Sequence, residues 1–359
     1  MEVALVDHEL SELVHGGNIT SKTNLKDLIQ PASIDIPIGE CCFLMREKVM
    51  PFRRTVSSLV HDYSLQKIHI DEGGIVLLRG QTYLFECAFI KLPPGFRGSL
   101  SPKSSIGRVD LMVRGVYDDC GLYDTIDRDT EGRLWLEVSP RSFNIKVFPS
   151  QTLSQLMVFR QGNATEIPSL PLQLESHPPL IYDSHGNPLP LRLHRNAVVL
   201  SLDLDQESVG FEAIPTSQVV ILSSIGSHDK EHFFRPVIHD QKAKAITLEK
   251  DRFYILCTKE RVSIPTTLSA EMVPFSQHIG ELRAHYAGFF DPGFGFGGGT
   301  KGTVGVLEVR PHETVTVYDG QPICLMEFFL NSAVPNCPYG HAGNSYHNQS
   351  GPKLAKYFA

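Results

Sequence analysis

A mainly β protein of barrel or sandwich type, built as two tandem copies of one domain, is the fold that this sequence predicts. Three observations carry that reading. Short alternating or β-branched runs dominate: ASIDIPIGE, GIVLLRGQTYLFECAFIKL, LWLEV and FNIKVF in the first half, then VVLSLDL, SQVVIL, TVGVLEV and TVTVYDG in the second. Gly, Pro and Asp punctuate them, from a total of 29 Gly and 24 Pro, as expected where strands end in tight turns. The third observation is self-similarity at a spacing of about 170 residues. The one helix with a clear start runs over roughly Asp7–Val14, with Asp7 as its cap.

The repeat keeps both order and spacing. TYLFEC ending at Cys87 pairs with FYILCT around Cys257, and LPPG at Pro93 with IPTT at Pro265. Pro102-Lys103-Ser104 pairs with Pro274-Phe275-Ser276, and LMVF ending at Phe159 with LMEF ending at Phe328. Leu136-Glu137-Val138-Ser139-Pro140 pairs with Leu307-Glu308-Val309-Arg310-Pro311. A Pro-rich stretch without period separates the copies. The expected organisation is a first β domain over 1–162, an extended linker over 163–192 and a second β domain over 193–359.

A chain of 359 residues is long enough to bury two cores, and 42% hydrophobic with 20% charged residues is the balance of a globular protein in water. Its formal net charge of -7 speaks against a surface that grips duplex nucleic acid, while leaving room for a local anion site. The start, MEVALVDHELSELVHGG, has no basic region followed by an apolar run. No stretch of about 18 apolar residues occurs either, so the expectation is a cytoplasmic protein that does not enter a membrane. Seven scattered cysteines (Cys41, Cys42, Cys87, Cys120, Cys257, Cys324, Cys337) read as reduced core thiols.

Three familiar patterns fail on context. His228-Asp229-Lys230-Glu231-His232 matches the H-x-x-E-H metalloprotease pattern, but Gly226-Ser227 before it and Phe233-Phe234-Arg235-Pro236 after it leave no room for the helix that would stack both histidines. Gly293, Gly295 and Gly298 satisfy G-x-G-x-x-G, yet DPGFGFGGGTKGT leads into a strand and not into the helix a dinucleotide needs. Zinc-dependent nucleoside deaminases require H-x-E with P-C-x-x-C, and the sequence contains no C-x-x-C.

Two stretches offer chemistry. Pro102-Lys103-Ser104-Ser105-Ile106-Gly107-Arg108 puts two cations and two hydroxyls at one bend, which suits a phosphate cradle or, equally, a capped turn with solvated charges. Glu308, flanked by Leu307 and Val309 on a strand, is either an outward-facing charge or a desolvated acid of raised pKa suited to proton transfer.

Taken together with Ala287-Gly288-Phe289-Phe290-Asp291-Pro292-Gly293 and the terminal Ala355-Lys356-Tyr357, these segments are similar to those of the dCTP deaminase branch of the dUTPase superfamily. That family shows an R/K-S-S-x-x-R segment, an A-x-x-x-D-P-G hairpin, a V-L-E-F strand and a tail containing A-K-Y, in this order. Ala32-Ser33-Ile34-Asp35-Ile36 resembles its early strand. The resemblance implies tandem dUTPase-like distorted β-barrels, of β-clip or jelly-roll type, and a metal-free deaminase converting dCTP to dUTP and ammonia. It implies that Lys103, Ser104, Ser105 and Arg108 hold the triphosphate, with Ser104 and Arg108 also serving catalysis. Ala287, Gly288, Phe289 and Asp291 would grip the nucleoside, and Glu308 would activate the water. Lys356 and Tyr357 would close over the phosphates. Mg2+ is expected only as companion of the triphosphate, with no resident cofactor, and threefold or pseudo-threefold packing of a homo-oligomer is implied.

The copies depart from the pattern in complementary ways. The first keeps the serine segment but has Asp118-Asp119-Cys120-Gly121-Leu122-Tyr123-Asp124-Thr125 in place of the hairpin. The second keeps the hairpin but has Glu281 where Arg108 stands, and an acid there repels phosphate. One hybrid site is therefore expected, from one chain or from neighbours, while Glu137 stays a second candidate at the equivalent strand position. Two rival functions remain: a dUTPase or bifunctional enzyme using Asp291, and a non-catalytic nucleotide-binding regulator. The stretch Gly343–Pro352 reads as mobile, so removal of the tail is expected to leave the melting temperature unchanged.

Overall fold

In the computed structural model, described over residues 2–162, 177–206, 208–240, 242–274, 282–284, 288–297, 301–340, 346 and 349–359, the two halves repeat one strand arrangement. In the first copy Thr82–Lys91, Glu131–Pro140 and Leu111–Tyr117 lie side by side and antiparallel. In the second, Tyr254–Val262, Thr303–Pro311 and Leu282–Ala284 do the same in the same order. Successive side chains of a strand point to opposite faces. Leu136 and Val138, like Leu307 and Val309, go into the cores, which sends Glu137 and Glu308 to the other face. The described sheets are open, and the architecture is the mainly β, dUTPase-like one expected.

The halves interlock. The short strand Glu2–Ala4 pairs antiparallel with Thr152–Gln161 of the first copy and parallel with Pro322–Asn331 of the second, so one 10-stranded sheet crosses both. Asn144–Val147 of the first copy also pairs parallel with Val219–Ile221 of the second. Beneath these junctions the first core takes in Phe233, Phe234, Phe253 and Ile255 from the second copy. Each such side chain contributes about 1.5–3 kcal/mol by leaving water.

Several local expectations change. The first helix is Asp7–His15, and its N-cap position is Val6, not Asp7. Asp7 instead accepts backbone N–H bonds from Asn336 and Cys337 at 3.0 and 2.9 Å, tying the first helix to the segment after the last strand. A second helix of eight residues or more, Val56–Tyr63, was not foreseen, because VSSLVHDY is too short for its period to show; Thr55 caps it, and it buries Val56, Leu59 and Val60 beside Trp135. Within the stretch read as linker, residues 163–176 lie outside the described residues, whereas Ile181–Tyr182 adds a short strand to the second copy's sheet. All seven cysteines are free; five are buried, Cys41 is half-buried and Cys337 is exposed. His228 packs on Phe233 and Phe358, and its Nε2 accepts the Ile221 N–H at 2.9 Å, so that lone pair is already used. Gly293 and Gly295 turn left-handed on the way to the strand Thr303–Pro311, and Gly298 lies outside the described residues.

Candidate active site

The strand Arg97–Pro102 ends at a proline, Lys103 is extended, and Ser104–Gly107 then makes a single helical turn closed by the Arg108 N–H on the Ser104 carbonyl at 3.1 Å. Glu308 of the second copy sits directly against this turn. A Cβ at Gly107 would lie far inside van der Waals contact distance of Glu308 Oε2, so only glycine admits the carboxyl there. The hairpin strand Phe289–Phe290 pairs with Leu268–Pro274, which brings Gly288 so close that a Cβ on it would stand 3.4 Å from Ser104 Oγ. Asp291 follows, buried, with Oδ1 accepting the Ala32 N–H at 3.3 Å.

These pieces enclose a cavity of about 190 Å³ within one chain. The first copy lines it with Lys103, Ser104, Ser105 and Arg108, the second with Gly288, Phe289, Asp291 and Glu308, and the tail with Lys356. Residues that the sequence reading did not assign complete it: Gln30, Asp35, Gln155, Phe290, Phe294, Val306, Tyr339, Tyr346 and Gln349. Their side chains come from separate loops and strands; Asp35, Phe290 and Val306 lie inside segments that carried a signal in the sequence, and the others do not. Lys103 pairs with Asp35 and donates to Thr152 Oγ1 at 3.1 Å, so this cation is held by a carboxylate of its own copy.

Burial sets the electrostatics. Glu308 is 6% exposed and its Oε2 has no hydrogen-bond partner among the described residues. Desolvation pushes its pKa well above the usual carboxylate range, Arg108 pulls it down and Asp110 pushes it further up. Asp291 is held at about 7, first by burial and then by the nearby Asp35, against the pull of the Ala32 N–H and Lys103. Burial lowers the Arg108 pKa, which the Tyr346 and Glu308 charges oppose.

The terminal segment packs where it is described, and of the stretch Gly343–Pro352 read as mobile, residues 343–345 and 347–348 lie outside the described residues. Arg108 Nη1 donates to the Lys353 carbonyl at 2.8 Å and to Gln349 Oε1 at 3.3 Å, and the guanidinium lies 3.9 Å from the centre of the Tyr346 ring. Tyr357 donates to Ser105 Oγ at 3.4 Å. The carbonyls of Lys356 and Tyr357 accept from the N–H groups of Gly226–His228, and Phe358 packs edge-to-face on Phe233 and Phe234. Residues 341–345 and 347–348 lie outside the described residues, as does Ala287.

Glu137 stands apart from the cavity. It is 2% exposed, ion-paired with Lys48 at 3.0 Å and accepting from the Tyr123 hydroxyl at 3.3 Å, beneath the apolar layer that the helix Val56–Tyr63 builds beside Trp135. The first copy's hairpin also registers differently from the sequence alignment. Thr125 pairs with Ser99 as Phe289 pairs with Glu271, which puts Asp127 at the position of Asp291.

Two consequences are measurable. Gly107→Ala is expected to displace Glu308 and to cut turnover by about a hundredfold, the scale of a misplacement near 1 Å; steady-state kinetics on a folded variant check it. For Asp291 the folded pKa of about 7 exceeds the usual 3.8, so folding favours the protonated form. The stability held with the neutral carboxyl is complete below the unfolded pKa and is lost as pH rises through the folded one. Asp291→Asn should therefore melt higher than the parent by a margin that grows from about pH 4 to about pH 7 and then stays level. A margin that does not vary with pH would contradict the burial argument.

With the geometry in place, similarity to known proteins is informative. Residues 2–163 match the model of the 2'-deoxycytidine 5'-triphosphate deaminase (DCD) N-terminal domain, and residues 172–358 that of the C-terminal domain. The crystal structure of 2'-deoxycytidine 5'-triphosphate deaminase from Agrobacterium tumefaciens superposes with a TM-score of 0.80 at 31% identity, covering 91% of this chain and 98% of that one. A "dCTP deaminase, dUMP-forming" of Nanoarchaeum equitans is 27% identical over 171 residues, 44% of this chain and 83% of its own length. One of the same description from Nocardia farcinica is 28% identical over 171 residues, 46% of this chain and 80% of its own. With both halves matched in order and one cavity formed where they meet, the chain belongs to the family of dCTP deaminases.

Proposed function

We propose that the cavity between the copies binds dCTP and replaces its C4 amino group by oxygen, with Glu308 as acid and base. The observation that carries this is a buried carboxyl, raised in pKa, wedged between the serine turn and the nucleoside hairpin. A neutral Glu308 protonates the ring nitrogen N3 and so becomes the carboxylate that takes a proton from water as its oxygen bonds to C4. Glu308 then passes that proton to the amino nitrogen, the C4–N bond breaks as ammonia leaves, and the C4 hydroxyl returns its proton to Glu308 as the carbonyl forms. Ser104, Ser105 and Arg108 orient the water and balance charge at the tetrahedral stage. Lys103, Arg108 and Lys356 face the triphosphate, whose Mg2+ travels with the substrate.

No step is assigned to zinc, because the sequence lacks the P-C-x-x-C ligands of the zinc deaminases. A zinc-selective chelator is expected to leave the rate unchanged; activity lost to it and restored by zinc but not magnesium would sink that assignment. The lining residues named above belong to one chain, and on this reading an oligomer, threefold or otherwise, is a packing of such sites. No described helix is long and apolar enough to cross a membrane, and we place the enzyme in the cytoplasm, where its triphosphate substrate is made.

A second reading extends the first. Asp291 lines the same cavity with a pKa of about 7, and the relatives named above are described as dUMP-forming. Such a carboxylate can take the proton of a water that bonds to the α-phosphorus as the bond to the β-phosphate oxygen breaks, releasing diphosphate. Incubation with dCTP and magnesium followed by separation of products decides. Ammonia with dUMP and diphosphate supports both steps, and accumulating dUTP supports deamination alone. Nucleotide binding without any product overturns both and leaves a non-catalytic regulator.

A further inference from the structure

We infer that Asp110 and Arg310 are a positioning pair that sets Glu308 against the serine turn, and that this pair makes the site assemble on one side of the repeat only. The inference rests on the assignment of Glu308 as acid and base. Asp110 lies two residues past Arg108, and its N–H donates to the Gly107 carbonyl at 2.8 Å, closing the turn on which Glu308 rests. Its carboxylate is 0% exposed and ion-paired with Arg310, and Ser142 Oγ donates to it at 2.6 Å.

Arg310 comes two residues after Glu308 on the same strand, so both leave the same face. Its Nη2 donates to Ser142 Oγ at 3.0 Å as well as to Asp110, and Nη1 donates to the Asp251 carbonyl. One planar fork thus ties the Glu308 strand to the serine turn of the other copy and to a neighbouring loop of its own. Asp110 adopts a left-handed backbone, φ 54°, where glycine fits best and Asp is tolerated. A buried ion pair gains little stability over an apolar pair of the same volume, but it fixes geometry. The repeat supplies the contrast. The first copy has Ser139 where the second has Arg310, and its Glu137 is held by Lys48 and Tyr123 instead.

The test is kinetics and melting of Arg310→Met, Arg310→Lys, Asp110→Asn and the double variant Asp110→Asn/Arg310→Met, with Glu308→Gln beside them. Arg310→Met is expected to lower kcat by about ten- to a hundredfold, with KM for dCTP within about threefold of the parent, because the phosphate-side residues are untouched. Arg310→Lys should recover part of the rate. The double variant buries no unpaired charge, so its Tm should rise above those of the single variants while kcat stays low. Recovery of kcat together with Tm would show a pair that only stabilises and would overturn the inference, as would parental kcat in any folded variant lacking Arg310. Should the single variants not fold, the double variant alone reads the outcome. A fully active Glu308→Gln enzyme would remove the assignment of the base and the pair with it. An inactive Glu308→Gln beside an unimpaired double variant would remove the pair alone.

Discussion

Glu308→Gln is expected to keep nucleotide binding and to lose turnover by about a hundredfold or more, the usual scale for removing a group that both gives and takes the reacting proton. Glutamine keeps the shape that fits against Gly107, so the fold should survive and even gain stability at neutral pH, where the parent holds a carboxyl pushed far up by burial. Glu137→Gln should change turnover little. Its carboxylate is paired with Lys48 and accepts from Tyr123 away from the cavity, so its loss costs stability and not rate. Steady-state kinetics of the two variants under one protocol read this directly. An inactive Glu137→Gln with a working Glu308→Gln would reverse the roles of the copies.

Removal of residues 352–359 has the second large expected effect, on binding and stability together. The tail contributes the Lys353 carbonyl to Arg108, the Tyr357 hydroxyl to Ser105 and the Lys356 side chain to the cavity wall. A hydrogen bond from the Lys356 ammonium to a phosphate would be worth about 1.5–3 kcal/mol, so triphosphate binding should weaken more than tenfold. Water would then also reach the reacting centre. The unchanged melting temperature that the polar composition suggested is not expected, because Tyr357 and Phe358 belong to the shared core and truncation bares Phe233 and Phe234. Lys356→Ala separates the two effects: it should weaken the triphosphate more than the monophosphate and leave melting nearly unaltered. Parental kinetics in the truncated enzyme would reduce the tail to a structural prop.

The cavity of about 190 Å³ under this tail is small beside the roughly 300–1,000 Å³ of pockets that hold drug-sized ligands.

What the sequence made legible follows from which interactions are local. The strands were readable because alternation is a local signal, and the repeat fixed the equivalence of Glu137 and Glu308 before any contact was known. The serine turn and the hairpin were readable as short ordered segments. Register was not: the hairpin of the first copy slips to Asp127 because its strand Thr125–Ile126 is only two residues long and carries no period. The helix Val56–Tyr63 hid for the same reason. Asp35, Gln155, Tyr339 and Tyr346 join the site through tertiary packing, which no spacing along the chain encodes. The terminal aromatics stood out in the sequence, but that Tyr357 and Phe358 enter the core of the first copy depends on tertiary packing against Phe233 and Phe234.

The central claim is that one working site is assembled from both copies of the same chain. Two inactive variants test it: Arg108→Ala, which spoils the serine turn, and Glu308→Gln, which spoils the acid and base. Unfolded together, refolded as a mixture and assayed for ammonia release from dCTP, they should recover no activity, since each chain carries one broken half of its own site. Recovery of a substantial fraction of parental activity, absent from either variant refolded alone, would show that the halves come from different chains.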